Sequence, residues 1–128
     1  MARILVVEDE PIPRTILAKL LTRDGHEVQT AAGASEAIDA ARVFKPELLI
    51  ADWILPDRHN GQYVAEQLRR SNPAIQVLFF TGLPTHKLEK EIAHLHPFRF
   101  LEKPCDFEAI RTAVNESLNG DGTPSSNG

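Results

Sequence analysis

Three carboxylates, a hydroxyl and an ammonium each follow a short apolar run: Glu8 and Asp9 after residues 4–7, Asp52 after 48–51, Thr81 after 77–80, and Lys103 close behind 100–101. If those runs are parallel strands of one sheet, their carboxyl ends share an edge, and open α/β sheets bind ligands beyond that edge. Residues as far apart as Glu8 and Lys103 then meet in one crevice. Mg²⁺ (or Mn²⁺) takes oxygen ligands, typically one or two carboxylates with water and a phosphate oxygen. Glu8, Asp9 and Asp52 could supply that ligation, with the backbone carbonyl of Ile54 as a neutral ligand. An aspartate beside such an ion can attack phosphorus and form an acyl phosphate. The Thr81 hydroxyl and Lys103 would then stabilise the phosphoryl oxygens by position and charge. Nucleotide-binding sheets instead place a glycine-rich loop after the first strand. Here Glu8-Asp9-Glu10 would repel phosphate unless a cation intervened, so Rossmann and P-loop readings fail.

The elements that must position these groups are legible as alternating short apolar runs and amphipathic stretches, the pattern of a βα-repeating parallel sheet. Strands are expected at 4–7, 27–31, 48–51, 76–80 and 98–101. Helices are expected at 13–23, 35–44, 63–70, 86–95 and 106–118, each with apolar residues at helical spacing. Ile16, Leu17, Leu20 and Leu21 form one such face, and Phe107, Ile110, Val114 and Leu118 another. Pro11 and Pro13 suit a helix entrance rather than an interior. The fold class is therefore α/β, a doubly wound five-stranded parallel sheet with helices on both faces. Residues 1–119 make one domain, and the Gly, Ser, Asn and Pro of 120–128 read as a disordered tail or the start of a linker.

Composition narrows the class of protein. At 128 residues with 42% hydrophobic and 25% charged residues, the chain can bury a real core. A net charge of −4 argues against direct nucleic-acid binding, which wants a basic surface. The single Cys105 excludes an internal disulfide and fits a reducing compartment. No apolar stretch reaches membrane-spanning length and no signal-peptide pattern is present, so a cytoplasmic location away from membranes is expected. The five histidines are scattered without metal-ligand spacing.

Four short matches, in order and each at a strand end, resemble the response regulator receiver domain: Val7-Glu8-Asp9-Glu10, Asp52 with Pro56 four residues on, Phe80-Thr81-Gly82, and Lys103-Pro104. The resemblance spans 3–118 and implies a flavodoxin-like strand order of 2-1-3-4-5. It implies Asp52 as phosphoacceptor, fed by a histidine kinase or histidine phosphotransfer protein. Glu8 and Asp9 then match the acidic metal pair, Thr81 the switch hydroxyl, Lys103 the phosphate-pairing lysine and Phe100 the switch aromatic. Simple core packing is the other reading of Phe100. Phosphorylation would change the face made by segment 86–95, strand 98–101 and helix 106–118, and so the binding of a downstream protein or of a second copy. Such a domain catalyses only its own phosphorylation and dephosphorylation, and is not otherwise an enzyme.

Two departures qualify the match. Nine positions separate Asp52 from Gly61, one more than the family usually has, so the intervening loop carries an extra residue. Ile54 and Leu83, two residues past Asp52 and Thr81, are apolar where a polar side chain would orient attacking water, so slow loss of the phosphoryl group is expected. Two rivals stand beside the leading reading. An aspartate-nucleophile phosphatase of the haloacid-dehalogenase type wants a second aspartate where Ile54 stands. A phosphate-independent pseudo-receiver usually lacks a key residue, and none is missing here.

Overall fold

The computed structural model describes residues 2–57, 59–82, 88, 90, 93–95, 98–103 and 105–119. Five parallel strands form one sheet: β1 (Arg3–Val7), β2 (Glu27–Ala31), β3 (Leu48–Asp52), β4 (Gln76–Thr81) and β5 (Arg99–Glu102), in the order β2-β1-β3-β4-β5. Among the described residues the helices with full spans are α1 (Pro11–Arg23), α2 (Ala34–Phe44), α3 (Gly61–Ser71) and α4 (Phe107–Leu118). The expected helix over 86–95 lies mostly outside the described residues; within it Leu88 and Lys90 are helical, Leu88 is buried, and Ala93–Leu95 winds as a 3-10 turn. Leu83, Pro104 and the segment 120–128 also lie outside them.

Strand alternation sorts the core into two layers. Leu5, Val7, Leu49, Ala51, Val77 and Phe79 face α2 and α3, where they meet Ala37, Val64, Ala65 and Leu68. Ile4, Val6, Leu48, Ile50, Leu78 and Phe80 face the other way, onto Leu17, Leu20 and Leu21 of α1 and Ile110, Ala113 and Val114 of α4. Successive side chains of a strand point to opposite faces, so an unbroken apolar run is what a strand covered on both sides requires. Burying each large side chain contributes about 1.5–3 kcal/mol, which makes the strand ends a firm platform.

The local signals act where they were expected, with small shifts. Pro11 opens α1 and Pro13 follows within its first turn, where backbone N–H groups lack intrahelical partners anyway. The helix therefore starts two residues before the expected 13. Asn60 caps α3 by accepting from the Tyr63 amide at 3.0 Å, and Asp106 caps α4 by accepting from Ala109 at 2.8 Å. Two expected core residues are not core: Ile16 and Phe107 are 43% and 54% exposed. Both line an open groove between α1 and α4, so their apolar spacing marks a helix face that the sheet does not reach.

Candidate functional site

The parallel register sets the site. Asp52 is the last residue of β3 and Thr81 the last of β4, while Glu8 and Asp9 follow β1 and Lys103 follows β5. Asp52 pairs with Phe80 and Thr81 with Glu102, so the ends of the central strands finish nearly level. Three backbone bonds tie them: Glu8 N donates to Ala31 O at 3.0 Å, Trp53 N to Phe80 O at 2.8 Å, and Lys103 N to Thr81 O at 2.8 Å. Sheet geometry thus brings together residues that the chain keeps 95 positions apart.

Carboxylate oxygens of Glu8, Asp9 and Asp52 lie within 4.8 Å of one another. The Lys103 ammonium donates to Asp52 Oδ2 at 2.8 Å and to Glu8 Oε1 at 3.4 Å. Glu8 is buried, Asp52 and Lys103 half-buried, and Asp9 exposed. Burial pushes the Glu8 carboxyl above its ordinary pKa and the Asp52 charge adds to this, against the opposing Glu10 amide and Lys103. Burial alone would lower Lys103, but its hydrogen bond and charge contact with Asp52, reinforced by Glu8, hold it above the ordinary lysine value. Crowded acids with one cation leave net negative charge. A divalent cation with hard oxygen preference fits that donor set.

Thr81 is buried at the end of β4. Ile54, two residues past Asp52, is 63% exposed. Phe100 is half-buried in β5, its ring centroid 5.5 Å from Phe79 and 5.9 Å from Trp53. The five described residues Glu8, Asp9, Asp52, Thr81 and Lys103 therefore gather at one sheet edge, with Phe100 in the aromatic layer below it.

Several neighbours carried no clear signal in the sequence. Trp53, next to Asp52, is buried edge-on against Phe79 at 5.2 Å. Arg14 Nη1 donates to the carbonyls of Glu8 and Asp9 at 3.0 and 3.3 Å, pinning the turn that presents them. Gly61 entered the sequence reading only through its spacing from Asp52, and its role is steric: a Cβ there would lie 2.5 Å from the Asp52 carbonyl oxygen. His59 stacks on Tyr63 at 3.6 Å, and Cys105 is half-buried with its thiol pushed up by burial.

The sheet order, the helices on both faces and the acidic cluster at the strand ends define the receiver class of signalling domain. The sequence matches the response regulator receiver domain over residues 4–115, and the chain belongs to that family, the receiver domains of two-component response regulators. Protein PilH of Pseudomonas aeruginosa is 31% identical over 123 residues, covering 94% of this chain and 100% of PilH. The DNA-binding transcriptional regulator NtrC of Azospirillum brasilense is 29% identical over 123 residues, covering 96% of this chain; the chain spans only 25% of NtrC. The chemotaxis protein CheY4 of Vibrio cholerae superposes with a TM-score of 0.86 at 24% identity, covering 92% of this chain and 99% of that one, a likeness of fold. Among the described residues no helix is long and apolar enough to cross a membrane.

Proposed function

We propose that this receiver domain accepts a phosphoryl group on Asp52 in a Mg²⁺-dependent reaction and thereby switches the binding of a partner. The observation that carries the reading is the cluster itself: three carboxylates within 4.8 Å and an ammonium 2.8 Å from the one that would react. Glu8, Asp9, Asp52 and the backbone carbonyl of Ile54 would hold the cation, Mn²⁺ serving as a substitute. Bound there, it would offset carboxylate repulsion and neutralise phosphoryl charge.

The donor is a phosphohistidine of a histidine kinase or histidine phosphotransfer protein. An Asp52 carboxylate oxygen forms the new bond to phosphorus, the phosphorus–nitrogen bond breaks, and its electron pair stays on the imidazole. Lys103 then exchanges its Asp52 contact for a phosphoryl oxygen, and Thr81 turns its hydroxyl toward the same group. Phe100 follows into the space Thr81 leaves, so the face around segment 86–95, β5 and α4 is where a downstream protein or a second copy reads the change. Residues 1–119 act as the receiver, 120–128 as a tail or linker start, and a cytoplasmic location belongs to the same proposal.

Incubation with Mg²⁺ and acetyl phosphate, followed by intact mass, tests the reading. A gain of one phosphoryl group in the wild type, absent in Asp52→Asn, is expected. No gain in the wild type would favour the phosphate-independent module, and an equal gain in the variant would remove Asp52 as acceptor. Many turnovers of a generic phosphomonoester would favour the phosphatase.

A further inference from the structure

The loop between β3 and α3 is tied to the structure in the middle as well as at its ends. At its base, Gly61 N donates to Trp53 O at 2.9 Å. Halfway along, Asp57 reaches across to the start of α2, where Oδ1 accepts from Ala34 N at 3.2 Å and Oδ2 from Ser35 N at 3.1 Å. These are the first two amides of a helix whose own N-cap residue, Gly33, provides no side-chain bond. Asp57 is thus a cap supplied from 22 or 23 positions away. Gly33 leaves the room: a Cβ there would stand 3.3 Å from Asp57 Oδ2.

The turn that Asp57 grips also touches the opposite side of the acidic cluster. Ala31 O, at the start of that turn, accepts from Glu8 N at 3.0 Å. Residues 31–35 therefore bridge the two loops that carry the cluster: the one following β1, with Glu8 and Asp9, and the one following β3, with Ile54. In the same turn Glu36 Oε1 accepts from Ala32 N at 3.1 Å, a contact that fixes the turn to α2 and involves neither Asp57 nor Trp53.

We propose that Asp57 is a positioning residue for cation binding: by clamping the loop after β3 to the N-terminus of α2, it holds Asp52 and the Ile54 carbonyl in register with Glu8 and Asp9. This rests on the reading of the acidic cluster as a Mg²⁺ site. Groups that hold ligand-bearing segments in place act on affinity without touching the ion. Burial would raise the Asp57 carboxyl, but the Ser35 and Ala34 amides, with its own amide and the His59 charge, keep it below its ordinary value and so ionised as a clamp must be.

Mg²⁺ titration of the full chain, read by Trp53 emission and by Tm, separates this role from simple helix capping. Asp57→Ala is compared with Glu36→Ala, which removes one negative charge and one contact from the same turn but leaves the loop tie intact. Asp57→Ala is expected to weaken Mg²⁺ binding about tenfold, the lower end of the range for supporting groups around a metal. Glu36→Ala should lower Tm while leaving affinity within about twofold, well below that supporting-group effect. Unchanged affinity in Asp57→Ala, or an equal loss in Glu36→Ala, overturns the positioning role while leaving the metal site standing. A wild type whose emission and Tm both ignore Mg²⁺ overturns the metal reading, and this proposal with it.

Discussion

Lys103 Nζ sits 2.8 Å from Asp52 Oδ2 and 3.4 Å from Glu8 Oε1, so one ammonium behind β5 neutralises parts of two carboxylates from the ends of β1 and β3. In the metal-free protein this is what makes the acidic edge tolerable. Removing one member of a part-buried ion pair leaves its partners uncompensated. Lys103 is about a third exposed, so water screens part of the loss. Lys103→Met should therefore destabilise the metal-free chain by about 1–2 kcal/mol, below the full buried-pair range. Denaturant melts should show this, and saturating Mg²⁺ should recover more stability in the variant than in the wild type. Equal Mg²⁺ stabilisation in both would separate Lys103 from the cation site.

Glu8 gives the metal-free protein a pH dependence of definite sign. Its folded pKa is raised, chiefly by burial and then by Asp52, above the ordinary 4.5. The folded state then holds that proton more tightly than the unfolded chain does. Its contribution is full below 4.5 and is lost as pH rises through the raised folded value. The Tm of Glu8→Gln minus that of wild type should grow as pH climbs through this window, and Mg²⁺ should abolish the wild-type loss. A difference that is flat with pH would contradict the raised value.

Trp53 is the single tryptophan of the chain, buried beside Asp52 with its ring centroid 5.9 Å from Phe100. Its emission should respond to Mg²⁺ and again to acetyl phosphate. Asp52→Asn should lose the second response, and Phe100→Ala should weaken it if Phe100 moves with the switch. A second response of equal size in Asp52→Asn would mean that the tryptophan reports something other than acceptor chemistry.

Gly61→Ala places a methyl group 2.5 Å from the Asp52 carbonyl oxygen, a backbone atom with no rotamer to escape through. Either the end of β3 or the start of α3 must shift, at about 1–3 kcal/mol as for other overpacked sites. Chemical denaturation should show that loss, and acetyl phosphate should label Asp52 more slowly. Wild-type stability and labelling together would mean that the loop of residues 53–60 absorbs the methyl group.

Ile54, two residues past Asp52, is apolar and 63% exposed, and its side chain can neither donate to nor accept from an attacking water. The phosphoryl group on Asp52 should persist, and Ile54→Asn, alone or with Leu83→Glu, should shorten its lifetime. Decay followed by intact mass after removal of the donor measures this. Identical decay in wild type and both variants would sink the idea.

Much of this architecture is legible in the amino-acid sequence. The runs at 4–7, 48–51 and 77–80 are apolar at every position because their strands are covered on both faces, and that alone marks a parallel sheet. Two helix starts were legible, from the prolines at the entrance of α1 and from Asp106 at the start of α4, whereas the Asn60 cap of α3 was not singled out by the sequence. The types of chemistry were legible too: acids after two strands, a hydroxyl after another, an ammonium after the last. Periodicity misled at Ile16 and Phe107, because it reports which side of a helix is apolar and not whether anything covers it.

What only the tertiary structure decided are the long-range pairings. That Lys103 bonds Asp52 and Glu8, that Asp57 caps α2, and that the Trp53 ring meets Phe100 depend on strand register and on the crossovers. Spacing along the chain carries local torsional and solvent preferences. It does not carry the angle at which one loop meets another, which is set by the packing of the whole core. The amino-acid sequence by itself thus determined the elements and the chemical character of their ends, while the close-packed sheet determined which of those ends touch.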